Sequence, residues 1–98
     1  MNRYRLSDLA KEELINIWMY IAQDNPTAAD QQLDTLHKKF QLLADNPGIG
    51  RRRQEFSSDN LHSFPHDSYV IFYEPREKKS IEISRVLHET RNIETLLE

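Results

Sequence analysis

Near the end of the chain Arg85, His88 and Arg91 recur every third residue, in the run Arg85-Val86-Leu87-His88-Glu89-Thr90-Arg91. Two guanidinium groups flanking an imidazole could stabilise phosphorane charge while the imidazole moves a proton, which is the equipment of metal-free RNA cleavage. The same groups could bind phosphate or an acidic protein surface with no bond broken. A second cationic run, Arg51-Arg52-Arg53, follows Gly48-Ile49-Gly50. Those glycines lack the Lys and Ser/Thr of a phosphate loop, so the arginines read as a contact surface or as a solvated loop. His62 and His66 on an extended segment stand about 13 Å apart, too far to share one metal ion. His37 reads as a lone surface residue on a helix, and Ser63 and Ser68 have no nucleophile elbow around them. There is no cysteine, so thiolate chemistry is excluded and a zinc site would need His and carboxylates only. No metal and no cofactor are expected.

The chain has 98 residues, enough for a single domain spanning 1–98 with a modest core. Hydrophobic residues make up 38% and charged residues 30%, with four Phe, four Tyr and one Trp. That composition is globular and polar-surfaced. A net charge of −3 gives no global attraction for a phosphate backbone, so direct DNA binding would need a local patch. The most apolar window, Leu14 to Ala22, falls well short of the roughly 20 residues that span a bilayer. No membrane association and a cytoplasmic setting are expected.

Six elements position these residues. Tyr4-Arg5-Leu6 reads as a short strand. Ser7 then caps a helix from about Asp8 to Gln23 whose apolar stripe is Ala10, Leu14, Ile17 and Ile21, with Trp18 beside it and Lys11, Glu12, Glu13 and Asn16 facing away. Pro26 restarts a helix that runs to about Ala44 on Ala29, Leu33, Leu36, Phe40 and Leu43. So short a connection implies an antiparallel helical hairpin. After Asn46-Pro47-Gly48, a polar stretch over 51–60 reads as a long loop or one irregular strand. A strand begins at Leu61 and is limited by Pro65. His66-Asp67 turns into the apolar strand Tyr69 to Tyr73, and Glu74 to Lys79 turns again. In the last strand Ile81 and Ile83 point to the core, and strict alternation would place Arg85 with them. A bulge near Ser84-Arg85, or a strand end there, would relieve that conflict. Asn92 to Leu97 reads as a short helix or docked tail. The sum is an α+β fold, β-α-α-β-β-β, with the hairpin on one face of a small antiparallel sheet.

Leu9-Ala10 with Leu14, Ile17, Tyr20 and Ile21, then Ala28, Leu33, Leu36, Leu43-Ala44, Asn46-Pro47, Tyr69 to Tyr73, and above all Arg85-Val86-Leu87-His88 through Arg91-Asn92, resemble in order and spacing the ParE toxins of the RelE/ParE superfamily. The resemblance implies a RelE/ParE-like fold and the toxin of a type II toxin–antitoxin system that poisons DNA gyrase, with plasmid stabilisation as a typical setting. It also implies a hetero-oligomer with a cognate antitoxin, through which operator DNA would be contacted only indirectly. Such a toxin binds and does no chemistry. The rival is a RelE-like, ribosome-dependent messenger ribonuclease with Arg85, His88 and Arg91 as catalytic groups; the acidic balance and the lack of any tyrosine after Tyr73 count against it. A non-toxic member that keeps only antitoxin binding is a third reading.

Under the first reading the target surface is expected at Arg51, Arg52, Arg53, Arg85, His88, Arg91 and Asn92. The antitoxin is expected on the apolar hairpin and central strand, at Trp18, Ile21, Leu33, Leu36, Phe40, Tyr69, Ile71 and Tyr73. Removing 92–98 is expected to abolish toxicity and spare antitoxin binding.

Overall fold

The computed structural model describes residues 3–56, 60–91 and 96–97. Among these residues the elements run, in chain order, β1 (Arg3–Leu6), α1 (Asp8–Ala22), α2 (Pro26–Asp45), β2 (Arg51–Arg52), β3 (His62–His66), β4 (Tyr69–Arg76) and β5 (Ser80–His88). The strands form one sheet in the order β1-β5-β4-β3-β2.

The helices begin where side-chain oxygens replace missing backbone acceptors. Ser7 Oγ accepts from the Ala10 N–H at 3.0 Å, and Asn25 Oδ1 accepts from the Ala28 N–H at 3.0 Å with Pro26 in the first turn. Between them the Ile21 carbonyl accepts from the Asp24 and Asn25 amides and closes α1. Ala10, Leu14 and Ile17 of α1 and Leu36, Phe40, Leu43 and Ala44 of α2 then pack on Ile71, Tyr73, Ile81, Ile83 and Val86 of the sheet. Trp18 Nε1 ties the hairpin by donating to Asp30 Oδ1 at 2.8 Å. His37 is half-buried: its Nδ1 lies 2.8 Å from the Tyr4 hydroxyl, and its ring meets Phe40 edge-on.

The sheet is antiparallel from β5 to β2, whereas β1 runs parallel to β5, Arg3 to Leu6 opposite Ser80 to Ile83. The sheet is therefore mixed, and its parallel pair, β1 with β5, joins the first described strand to the last. The residues between Gly50 and Leu61 include a two-residue strand, Arg51–Arg52, against Ser63 and His62. β4 extends through Pro75 to Arg76, where the sequence suggested a turn. Its β3 neighbour ends at His62, opposite Tyr73. Pro75 thus sits at an edge position, where a missing N–H is tolerated. Pro65 is placed likewise, since β2 covers only the start of β3.

The bulge expected near Ser84-Arg85 falls at Ser84. Pairing steps from Phe72↔Arg85 to Tyr73↔Ile83, so Ser84 has no residue opposite it. The extra residue keeps Ile81, Ile83 and Val86 under the helices while Arg85 and Leu87 go to the other face. That second face is covered as well, with Leu61, Phe72 and Leu87 under Phe56, Leu96 and Leu97. An apolar strand from Tyr69 to Phe72 is what two covered faces require.

A candidate partner-binding groove beside β5

β1 covers the outer side of β5 only as far as Ile83. Beyond it a groove of about 590 Å³ opens between α1 and β5. Leu9, Glu13, Asn16 and Tyr20 face it from α1, because positions 9, 13, 16 and 20 form the helical stripe next to the buried Ala10, Leu14 and Ile17. Leu9 and Tyr20 are exposed apolar surface, 51% and 74% accessible. Arg85 to His88 form the other wall, and Tyr69, Thr90 and Arg91 close the end.

At that end three strands bring His66, Tyr69 and His88 into one row. The Tyr69 ring meets His88 edge-on, with centroids 5.4 Å apart. Burial, and secondarily the Tyr20 phenol, raise the Tyr69 hydroxyl above its ordinary pKa. The Thr90 N–H donates to His88 Nδ1 at 3.2 Å, and the Thr90 hydroxyl lies 2.8 Å from the same nitrogen. With Nδ1 accepting, the proton of a neutral imidazole is on Nε2. The Arg91 side chain is exposed.

Arg85 has a different role from its neighbours. Its Nε and Nη2 donate to Glu13 Oε2 at 2.9 and 2.7 Å, and Nη1 donates to the Leu96 carbonyl at 3.2 Å. The side chains of this pair are only 16% and 15% accessible. Glu13 Oε1 accepts in addition from the Val86 N–H at 2.9 Å. Glu13 therefore does not face away, as its place in the helical wheel suggested. It flanks the buried stripe, three residues after Ala10 and four before Ile17, and that spacing was the signal available in the sequence. Tyr20 was missed for the opposite reason, because an exposed aromatic beside a core stripe looks like part of the stripe.

The other expected site residues are divided. Arg51 and Arg52 lie at the far edge of the sheet, three strands from β5, or about 14 Å at ordinary strand spacing. They do not join Arg85, His88 and Arg91 in one surface. Arg53 turns back instead: its Nε donates to Glu55 at 2.8 Å, its Nη1 donates to Ser63 Oγ at 3.1 Å, and its guanidinium stacks 5.2 Å from the Phe56 centroid. Asn92 lies outside the described residues.

Of the residues expected to meet an antitoxin, Leu36, Phe40, Ile71 and Tyr73 have no accessible surface. These four are core residues, and a partner docking on the folded chain does not reach them. Their apolar stripes are used up by the contact between hairpin and sheet. Trp18, Ile21, Leu33 and Tyr69 are partly accessible, and Tyr69 alone of these lines the groove. No group of three or more His, Cys, Asp or Glu side chains able to hold a metal occurs among the described residues.

A family model described as the ParE toxin of the type II toxin–antitoxin system parDE matches residues 4–93, a range that contains every residue lining this groove. The chain belongs to the ParE toxin family. Toxin ParE1 of Caulobacter vibrioides is 34% identical to it over 94 residues, 94% of either chain. Toxin RelE3 of the same organism is 25% identical over 88 residues, 90% of this ParE-family chain and 95% of the relative. A solved structure described as the chromosomal ParDE TA system from P. aeruginosa superposes with a TM-score of 0.70, covering 90% of this chain and 95% of the other. At 17% identity that likeness speaks for the ParE-type fold alone. Leu96 and Leu97 lie past the matched range.

Proposed function

We propose that this ParE-family toxin binds DNA gyrase in its DNA-cleaved intermediate and blocks replication, and that a cognate antitoxin neutralises it by occupying the groove between α1 and β5. The observation that carries the reading is the state of Arg85. RNA cleavage needs an acid, a base and positive charge converging on one phosphate, and here Glu13 and Leu96 already hold one of the two flanking guanidinium groups. His88 and Arg91 remain as a contact surface, which suits a toxin that works by binding.

The antitoxin half of the proposal rests on the apolar groove wall at Leu9 and Tyr20 and on the edge of β5 beside it, where no strand pairs beyond Ile83 among the described residues. A disordered segment that orders on a groove and an edge covers much of a small domain. The solved neighbour, itself described as a ParDE system, supports such a pair. With a net charge of −3, operator DNA would be met through the antitoxin. The gyrase reading places the protein in the cytoplasm, and among the described residues no helix is long and apolar enough to cross a membrane.

A RelE-like messenger ribonuclease is the second reading, favoured by the likeness to Toxin RelE3 and by the gathering of Tyr20, Tyr69 and His88. Purified gyrase with plasmid DNA and ATP, run beside a translation-coupled messenger cleavage assay, separates the two. Trapped cleaved plasmid with intact messenger is expected. Cut messenger with unaffected gyrase would move the function to the ribosome.

A further inference from the structure

An uncovered strand edge is a template for any extended chain, and β5 has such an edge from Ser84 to His88, where no strand lies outside it among the described residues. Side chains close its first part. Ser7 donates its N–H to the Ile83 carbonyl at 3.0 Å and its hydroxyl to the Ser84 carbonyl at 2.7 Å. Glu13 accepts from the Val86 N–H, the next outward donor, at 2.9 Å. Arg85 stands opposite Phe72, on the face away from the helices, whereas Glu13 comes from α1 on the other side. Their ion pair therefore passes round the outer edge of β5, and no second strand can pair at Val86 while Glu13 stays in place.

The geometry points to Glu13 as a displaceable cap: an extended segment of the antitoxin, pairing with Val86 to His88, takes over the Val86 N–H from the Glu13 carboxylate. This rests on the antitoxin reading given above. The occupant is an extended backbone because the groups presented are main-chain ones at strand spacing. The adjoining groove, with Leu9 and Tyr20 exposed along it, offers room for alternate side chains of such a segment. A bond made in the free toxin and surrendered in the complex opposes association, since only differential interactions shift an equilibrium. Glu13 then excludes casual strand partners and admits one with enough groove contact to displace it.

The test compares toxin and Glu13→Ala for binding of the antitoxin encoded in the same operon, by calorimetry, with exchange of the Val86 amide followed in the free and bound states. Glu13→Ala is expected to bind on the order of ten-fold tighter, the worth of one hydrogen bond to a charged group. Its Val86 amide is expected to exchange fast when free and to be protected when bound. If Glu13→Ala does not fold, Glu13→Gln, which keeps a neutral acceptor in place, is expected to bind tighter by a smaller factor. Unchanged or weaker binding, or a Val86 amide left unprotected in the variant's complex, would overturn the cap while the antitoxin reading stands. If the wild-type toxin binds no antitoxin, that reading fails and the cap fails with it.

Discussion

Gly50 lies against the Tyr73 phenol: its N–H donates to the hydroxyl at 3.0 Å, and a Cβ on Gly50 would overlap the hydroxyl and ring. The same hydroxyl donates to the Pro47 carbonyl at 2.7 Å. One fully buried tyrosine of the central strand thereby fixes the loop that leads from α2 into β2. Gly50→Ala is expected to lose about 1–3 kcal/mol by overpacking. Tyr73→Phe is expected to lose a similar amount, about 1–3 kcal/mol, by leaving a donor and an acceptor without a partner. Urea unfolding of both variants checks this, and wild-type midpoints would remove the loop anchor from the account.

The β4–β5 hairpin is turned by Lys78 and Lys79, both in the left-handed region at φ 58° and 56°. A side chain there costs roughly 1–2 kcal/mol, and glycine returns part of it in backbone entropy. Lys79→Gly is expected to raise stability by about 0.5–1 kcal/mol, seen as a melting temperature a few degrees higher. The Arg3 N–H to Lys79 carbonyl bond, 3.0 Å, involves only backbone and survives the change. A lowered melting temperature would mean that the turn relaxes without the lysine side chain.

Burial raises the pKa of Tyr4, Tyr69 and Tyr73 above the usual tyrosine value. For an acid the folded state then holds its proton longer than the unfolded chain. The associated stability is complete below the unfolded value near 10 and is lost as pH rises through the folded values. Unfolding free energy is therefore expected to fall steeply above about pH 10. Tyr73→Phe, although less stable at neutral pH, should show a shallower alkaline decline. Parallel pH profiles for the two proteins would count against Tyr73 as a contributor.

Much of this architecture was legible because local chemistry and tertiary packing agree. Ser7 and Pro26 start helices where they fall, and Ala10, Leu14, Ile17, Leu36, Phe40 and Leu43 are buried at the spacing that announced them. The conflict between Ile81, Ile83 and Arg85 announced the bulge at Ser84. What local pattern could not show was which strand lies beside which. The parallel pairing of Arg3–Leu6 with Ser80–Ile83 joins opposite ends of the chain, and from Ser84 onward no strand lies outside β5 among the described residues. The same blindness put Leu36, Phe40, Ile71 and Tyr73 on a partner surface, since an apolar stripe looks alike whether its cover is a partner or the chain's own sheet. It also hid Glu13, whose partners Arg85 and Val86 lie some seventy residues away.

Arg85 and Arg91 are six residues apart with similar chemistry, yet they should fail in different assays. Arg85→Ala leaves the nearly buried Glu13 without its cation and is expected to cost about 2–3 kcal/mol in a urea melt. Arg91 is exposed, so Arg91→Ala should stay within about 0.5 kcal/mol of wild type while losing growth arrest in cells. Truncation at Arg91 cannot replace this comparison. It would strip Leu96 and Leu97 from Leu61, Phe72 and Leu87 and remove a carbonyl from Arg85, so the loss of toxicity expected of such a truncation would report a damaged fold. Full growth arrest by a stable Arg91→Ala toxin would take the end of β5 out of the target surface.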